Sequence, residues 1–186
     1  LSCYRQVMET QGISSSLLYN MANAYYHMKD VGNAVLYYER ALYLDPGNED
    51  IQANLHMARK DFGLVERESG KWERYFHFFN LNGWTWIASG ALTVFSLIFL
   101  LRGLSQGARR NRLIKAMSVV ALCLFVVSGT GVVLQYEKMD CGIVTAQGAS
   151  LLVSPFDTAS KSGAIKDGKM VKIEKTYKDY LLVEET

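Results

Sequence analysis

Histidine, cysteine and serine are the side chains of this chain that could bind a metal, transfer protons or attack a substrate. His27 is the first candidate, but His56 and His77 are far from it in sequence, and no cysteine or carboxylate stands at metal-ligand spacing. The serines at 14–16 lack the strand–turn–helix context of a nucleophile elbow, and no glycine-rich loop precedes a helix as phosphate binding requires. We therefore predict no catalytic residue, no metal and no cofactor, in a protein that is not an enzyme. The remaining chemistry is non-covalent binding by asparagine and tyrosine.

The N-terminal region, residues 1–65, has the periodicity of helices that each bury one face. Apolar and small residues recur at intervals of three and four over 18–25 and again over 34–42. A turn is expected at 29–33, and the run Asp-Pro-Gly-Asn at 45–48 predicts that one helix stops and another starts. A further helix is expected over residues 50–62.

Residues 15–48 resemble a tetratricopeptide repeat, a motif of 34 residues that folds as a pair of helices. The signature positions are Leu18, Met21, Ala22, Tyr25, Ala34, Tyr38, Ala41 and Pro46. The same register places a partial repeat on each side of this complete one. Because a single repeat cannot bury its own face, we expect either a longer array that continues before Leu1 or a partner that covers the missing surface.

The resemblance implies that the first helix of each repeat lines a concave face that binds peptides or other domains. Asparagine amides can bind an extended peptide backbone, and tyrosines supply contact area at low entropic cost. The alternative is that these side chains pack against a preceding repeat. In this register the candidate partner-binding residues are Tyr19, Asn20, Asn23, Tyr26, His27, Asn54 and Met57.

Two apolar runs occupy the middle of the chain. Leu81–Leu101 and Ala116–Tyr136 contain no charged side chain. Each is close to the roughly 20 residues that a helix needs to cross the hydrocarbon core, and since the backbone there must be satisfied within the segment, a helix is the only plausible form for either run. We predict a two-helix transmembrane hairpin over 81–136. The absence of intramembrane charge argues against a transporter or a proton relay.

The loop between the helices, residues 102–115, is basic and contains no acidic residue. Because lysine and arginine are retained on the cytoplasmic side, we expect this loop inside the cell and both flanking regions outside. The aromatic-rich segment 66–80 is expected to be an interfacial linker to the first helix. A formal net charge of +2 gives no sign of nucleic-acid binding. The loop cations are Arg102, Arg109, Arg110, Arg112 and Lys115.

The C-terminal region, residues 141–186, has short alternating runs separated by glycine-containing turns, as expected for four or five β-strands. It resembles a bacterial SH3-like domain at Ile143-Val144, at the Ser154-Pro155 bend and at the turn 167–168 before a valine-rich strand. The closing Gly-Trp strand of that family does not occur before Thr186, so the barrel is expected to be incomplete. Some members of the family bind peptidoglycan peptides.

The order of these parts resembles the BatE family of the Bacteroidetes aerotolerance operon. The fold expected is a multi-domain membrane protein: α-helical tetratricopeptide repeat hairpins, a two-helix transmembrane hairpin and a small all-β SH3-like barrel. The resemblance implies an inner-membrane scaffold with periplasmic modules, whose partners are the bilayer, von Willebrand A-domain Bat proteins and BatD-like subunits. The alternative function is a cell-envelope anchor or sensor whose SH3-like domain binds peptidoglycan peptide.

Overall fold

The computed structural model of the chain describes residues 1–64, 79–104, 112–137 and 140–185. It contains two compact units: Leu1–Phe78 together with Asp140–Thr186 form one, and Phe79–Met139 form the other. Most of the predicted aromatic linker and the centre of the basic loop, with Arg109 and Arg110, lie outside the described residues.

Helices form the N-terminal part of the first unit. The side chains of Ser14, Asp30 and Asn48 each accept a hydrogen bond from a backbone N–H three residues further on, which caps the next helix. The turn predicted at 29–33 is therefore shorter than expected: Asp30 already caps the third helix, and Gly32 is helical. The helices are α1 (Ser2–Gln11), α2 (Ser15–His27), α3 (Val31–Leu44) and α4 (Glu49–Asp61).

The core of this part lies between α2, α3 and α4, with residues of α1 packed against it. All the small and apolar repeat positions of α2 and α3 are buried, which confirms the register of the predicted repeat. Ala22, Ala34 and Ala41 are completely inaccessible to solvent, so the helices approach each other closely at these positions. The buried residues are Leu17, Leu18, Met21, Ala22, Tyr25, Val31, Ala34, Val35, Tyr38, Ala41, Ile51, Leu55 and Ala58.

Enlarging Ala41 should therefore destabilise the helical region. We expect Ala41→Leu to lower the free energy of unfolding by about 1–3 kcal/mol because the added methylenes must displace a packed neighbour. In a region of this size each kcal/mol corresponds to roughly 4–8 °C in melting temperature. The measurement is a circular-dichroism melt of the purified chain, with Tyr43→Leu as the control because Tyr43 lies on the same helix and is exposed. Equal melting temperatures for the two variants would contradict this packing.

The second unit contains two long helices, α5 (Leu81–Leu104) and α6 (Arg112–Glu137). Both are long and apolar enough to span a membrane, with mean hydropathies of 1.9 and 2.4 in their most apolar stretches. Only 11 % and 17 % of those stretches are buried, whereas the core helix of a water-soluble protein is mostly buried. The hydroxyls of Thr93 and Ser128 donate to backbone carbonyls one helical turn earlier, so these polar groups are satisfied within their own helices.

Five strands form the C-terminal region, as the alternating runs predicted. They make two antiparallel sheets, one of three strands in the order β1–β4–β5 and one of two strands, β2–β3. The predicted barrel is therefore not closed: β1 pairs only with the first three residues of β4, and no described strand joins the two sheets into a ring. The strands are β1 (Cys141–Ile143), β2 (Ala149–Leu152), β3 (Lys161–Ile165), β4 (Met170–Tyr177) and β5 (Tyr180–Glu185).

Candidate partner-binding face

Helices α2 and α4 supply the residues of the candidate face. Their apolar residues, such as Met21 on α2 and Leu55 on α4, are buried in the helical core. Because side chains three and four positions apart share one side of a helix, this burial leaves Tyr19, Asn23 and Tyr26 of α2 and Asn54 of α4 on a less buried side. The repeat pattern therefore positions the polar residues as well as the core.

A hydrogen-bonded cluster joins the two helices on this face. The hydroxyl of Tyr38, from α3, donates to Asn23 Oδ1 at 2.5 Å. The Nδ2 group of Asn54 donates to the hydroxyl of Tyr19 at 2.7 Å and approaches Asn23 Oδ1 at 3.3 Å. The rings of Tyr19 and Tyr38 lie 6.1 Å apart at a tilt of 53°. These four side chains hold one another in fixed orientations, which reduces the side-chain entropy that is lost when a partner binds.

Tyr26 belongs to a second cluster at the end of α4. Its hydroxyl donates to Asp61 Oδ2, and its ring meets Phe62 edge-on with the centroids 5.6 Å apart. The hydrogen bond to Asp61 raises the pKa of Tyr26 above its ordinary value. His27 contacts the ring of Tyr26 at 5.6 Å and is itself exposed. The predicted concave face thus contains two aromatic and polar clusters.

The other predicted residues of this face are exposed. Asn20 lies on α2, and Met57, on α4, has 44 % of its surface exposed. Sequence reasoning missed Asp61 and Phe62 as parts of the face. The spacing of four from Met57 to Asp61 along α4 could have indicated the carboxylate, since residues four apart lie on the same side of a helix. Tyr38 was recognised only as a core residue.

The basic loop has described residues only at its two ends. Arg102 stands in the last turn of α5 and is half-buried, whereas Arg112 and Lys115, in the first turn of α6, are exposed. Within the described residues, no three histidine, cysteine, aspartate or glutamate side chains are grouped so that they could hold a metal ion. The described geometry is that of a polar and aromatic face on α2 and α4, and cations stand at the loop ends of the two apolar helices.

Comparison with known families agrees with the geometry of the first unit. A tetratricopeptide repeat model matches residues 15–48. The match covers α2, α3 and the turn after them. Comparison with curated proteins and with solved structures gives no match. The tetratricopeptide repeat indicates a role in protein–protein interaction.

Tyr38 links the stability of the tetratricopeptide repeat to pH. Burial raises the pKa of its hydroxyl to about 12, and the neighbouring Tyr19 and Tyr26 add to the increase. The folded state therefore favours the neutral phenol, which is also the form that donates to Asn23. The resulting stabilisation is complete below the unfolded-state pKa of about 10 and is lost as the pH rises toward 12.

We therefore expect the stability of the repeat to fall between pH 10 and 12, by up to about 1.4 kcal/mol for each pH unit from this group. Circular-dichroism melts of the chain and of Tyr38→Phe across this range provide the measurement. Tyr38→Phe should be less stable at neutral pH and less sensitive to alkali than the unsubstituted chain. Parallel pH profiles for the two proteins would show that Tyr38 does not titrate as the burial indicates.

Proposed function

We propose that the protein is a non-enzymatic scaffold of a bacterial inner membrane. Its repeat and its strand segment, which comprises β1 to β5, lie on the periplasmic side. The observation that carries the proposal is the face of α2 and α4, where Tyr19, Asn23 and Asn54 are held together by hydrogen bonds yet remain only half-buried. Aromatic and amide groups fixed in this way suit recognition of a protein segment, because little side-chain entropy is lost on binding.

Exposed apolar side chains support the membrane location. Phe99 and Leu104 of α5 and Leu113 of α6 are each more than 70 % exposed. Continuous apolar surface of this kind requires a lipid or a protein environment. Other integral membrane proteins that pack beside the two helices would cover part of it, and lipid would cover the rest.

Two observations support the side of the membrane that we propose for each region. The segments before and after the hairpin contribute to the same compact unit, which supports our placing both on one side of the membrane. Cations at the helix ends next to the loop favour a cytoplasmic location for the loop: Arg102, Arg112 and Lys115. Together these observations support a periplasmic repeat.

The identity of the partners rests on the order of the parts. A tetratricopeptide repeat followed by two apolar helices and a strand-rich tail resembles the BatE family. We therefore propose assembly in a Bat-type complex with von Willebrand A-domain proteins and BatD-like subunits. The half-buried tyrosines and asparagines of α2 and α4 are the contact that we assign to such a partner.

Affinity purification of the intact tagged protein from detergent-solubilised membranes tests this function. We expect other integral membrane proteins to co-purify with it. An incubation with isolated cell wall provides the comparison. Retention on cell wall without any co-purifying membrane protein would reject the scaffold and favour an envelope anchor that binds peptidoglycan peptide.

A further inference from the structure

Gly32 marks an unusually close approach between the repeat and the strand segment. A Cβ atom added at Gly32 would lie 2.6 Å from the Cα of Thr145, 2.7 Å from the carbonyl oxygen of Val144 and 2.9 Å from that of Thr145. These neighbours are backbone atoms, so they cannot move aside as the end of a flexible side chain could. Glycine is a poor helix former, and here it stands in the first turn of α3. The backbone contact gives a physical reason for its presence.

The turn between β3 and β4 makes a second contact with the same helix. Gly168 has a φ of +81°, and a Cβ added there would lie 2.8 Å from Leu64 Cδ1 and 2.9 Å from Val31 Cγ1. The Nζ group of Lys166 donates to the carbonyl of Phe62, just beyond the end of α4. The negative end of the helix dipole stabilises a cation at this position.

The two contacts belong to one surface. The backbone N–H of Gly168 donates to the carbonyl of Val144 at 2.7 Å, and the N–H of Val144 donates to the carbonyl of Lys169 at 3.0 Å. Ile143, at the end of β1, packs against the helical core. Residues 143–145 and 166–168 therefore meet α3 as one hydrogen-bonded body.

We propose that these residues form an intramolecular clamp whose partner is α3 of the same chain. The clamp joins the region before the hairpin to the region after it. The role of the strand segment is then to hold the repeat, and the surface formed by 143–145 and 166–168 is not free for an external ligand. This inference goes beyond the proposed function, which concerns the face of α2 and α4.

Hydrogen–deuterium exchange of the full chain in detergent, read by mass spectrometry, tests the clamp. Gly32→Ala should obstruct the contact through its added methyl group, although alanine by itself favours a helix. We expect the amides of 142–146 and 166–170 to exchange at least about tenfold faster, since their opening would no longer be opposed by α3. Gly47→Ala is the matched control because a Cβ at Gly47 has no atom within 4 Å.

A second variant, Lys166→Ala, removes the hydrogen bond to Phe62 without adding any atom, and should change exchange in the same direction by a smaller factor. Faster exchange in α2–α4 as well would also support the clamp, because a Gly-to-Ala change in a helix does not by itself weaken that helix. Unchanged exchange of 142–146 and 166–170 in both variants would overturn the proposal.

Discussion

Replacing Tyr19 and Tyr26 together by alanine should release a partner that co-purifies with the intact protein. Aromatic anchors of an interface typically contribute on the order of 2 kcal/mol each, so the double change should weaken binding more than about a hundredfold if the two effects add. The tyrosines stand in separate clusters, one with Asn54 and one with Asp61, which favours additive effects. Affinity purification from membranes, with quantification of the recovered partner, provides the measurement.

The same tyrosines also pack against the helical core, so the variant must be shown to be folded. Two further variants separate binding from folding. Asn20→Arg combined with Met57→Arg changes exposed positions of the face, and Tyr43→Ala removes an exposed tyrosine from α3. We expect the arginine pair to release the partner without a change in melting temperature, and Tyr43→Ala to retain it. A folded double-alanine variant that keeps every partner would exclude this face.

Labelling of single cysteines should show that both ends of the chain lie on the same side of the membrane. In a background without Cys3, Cys123 and Cys141, a membrane-impermeant thiol reagent added to spheroplasts should label Gly47→Cys and Gly163→Cys. Both glycines have open space around the position of a Cβ. Gly168 is unsuitable because it is buried against Leu64.

A third cysteine, Ser105→Cys, probes the basic loop in a part of the chain that the structure does not describe. It should be labelled only after lysis, because the loop cations favour the cytoplasmic side. Before lysis, we expect nearly complete labelling at positions 47 and 163 and nearly none at position 105. Labelling of Ser105→Cys alone would show that the orientation is opposite to the one proposed. Labelling of Gly47→Cys without Gly163→Cys would show that the two ends of the chain lie on opposite sides of the membrane, and it would also contradict the clamp.

Local patterns were sufficient to predict the helices and strands. The burial of Leu18, Met21 and Tyr25 follows from their spacing on one helix face, and the strands at 170–177 and 180–185 follow from alternation around a turn. The cap at Asp30 was missed because Gly32 suggests a turn when only its neighbours in sequence are considered. Local pattern therefore predicts the elements better than their ends.

Contacts between distant segments could not be predicted in this way. Gly32 and Thr145 are more than a hundred positions apart, and no periodicity connects them. The hydrogen bond from Tyr38 to Asn23 was missed for a related reason, since the repeat pattern assigns Tyr38 to the core without showing where its hydroxyl points. Barrel closure also depends on pairing between distant strands, and the described strands form two sheets that do not close into a barrel.

Site-specific photo-crosslinking in intact membranes tests the scaffold most directly. A photoreactive amino acid in place of Met57 on α4 would probe the proposed face, and one in place of Tyr43 on α3 would be the control. The two side chains are similarly exposed, at 44 % and 51 %. We predict a crosslink to another membrane protein from position 57, absent from position 43 and lost when Tyr19 and Tyr26 are replaced by alanine. Equal crosslinking from both positions, or none from position 57, would contradict the account.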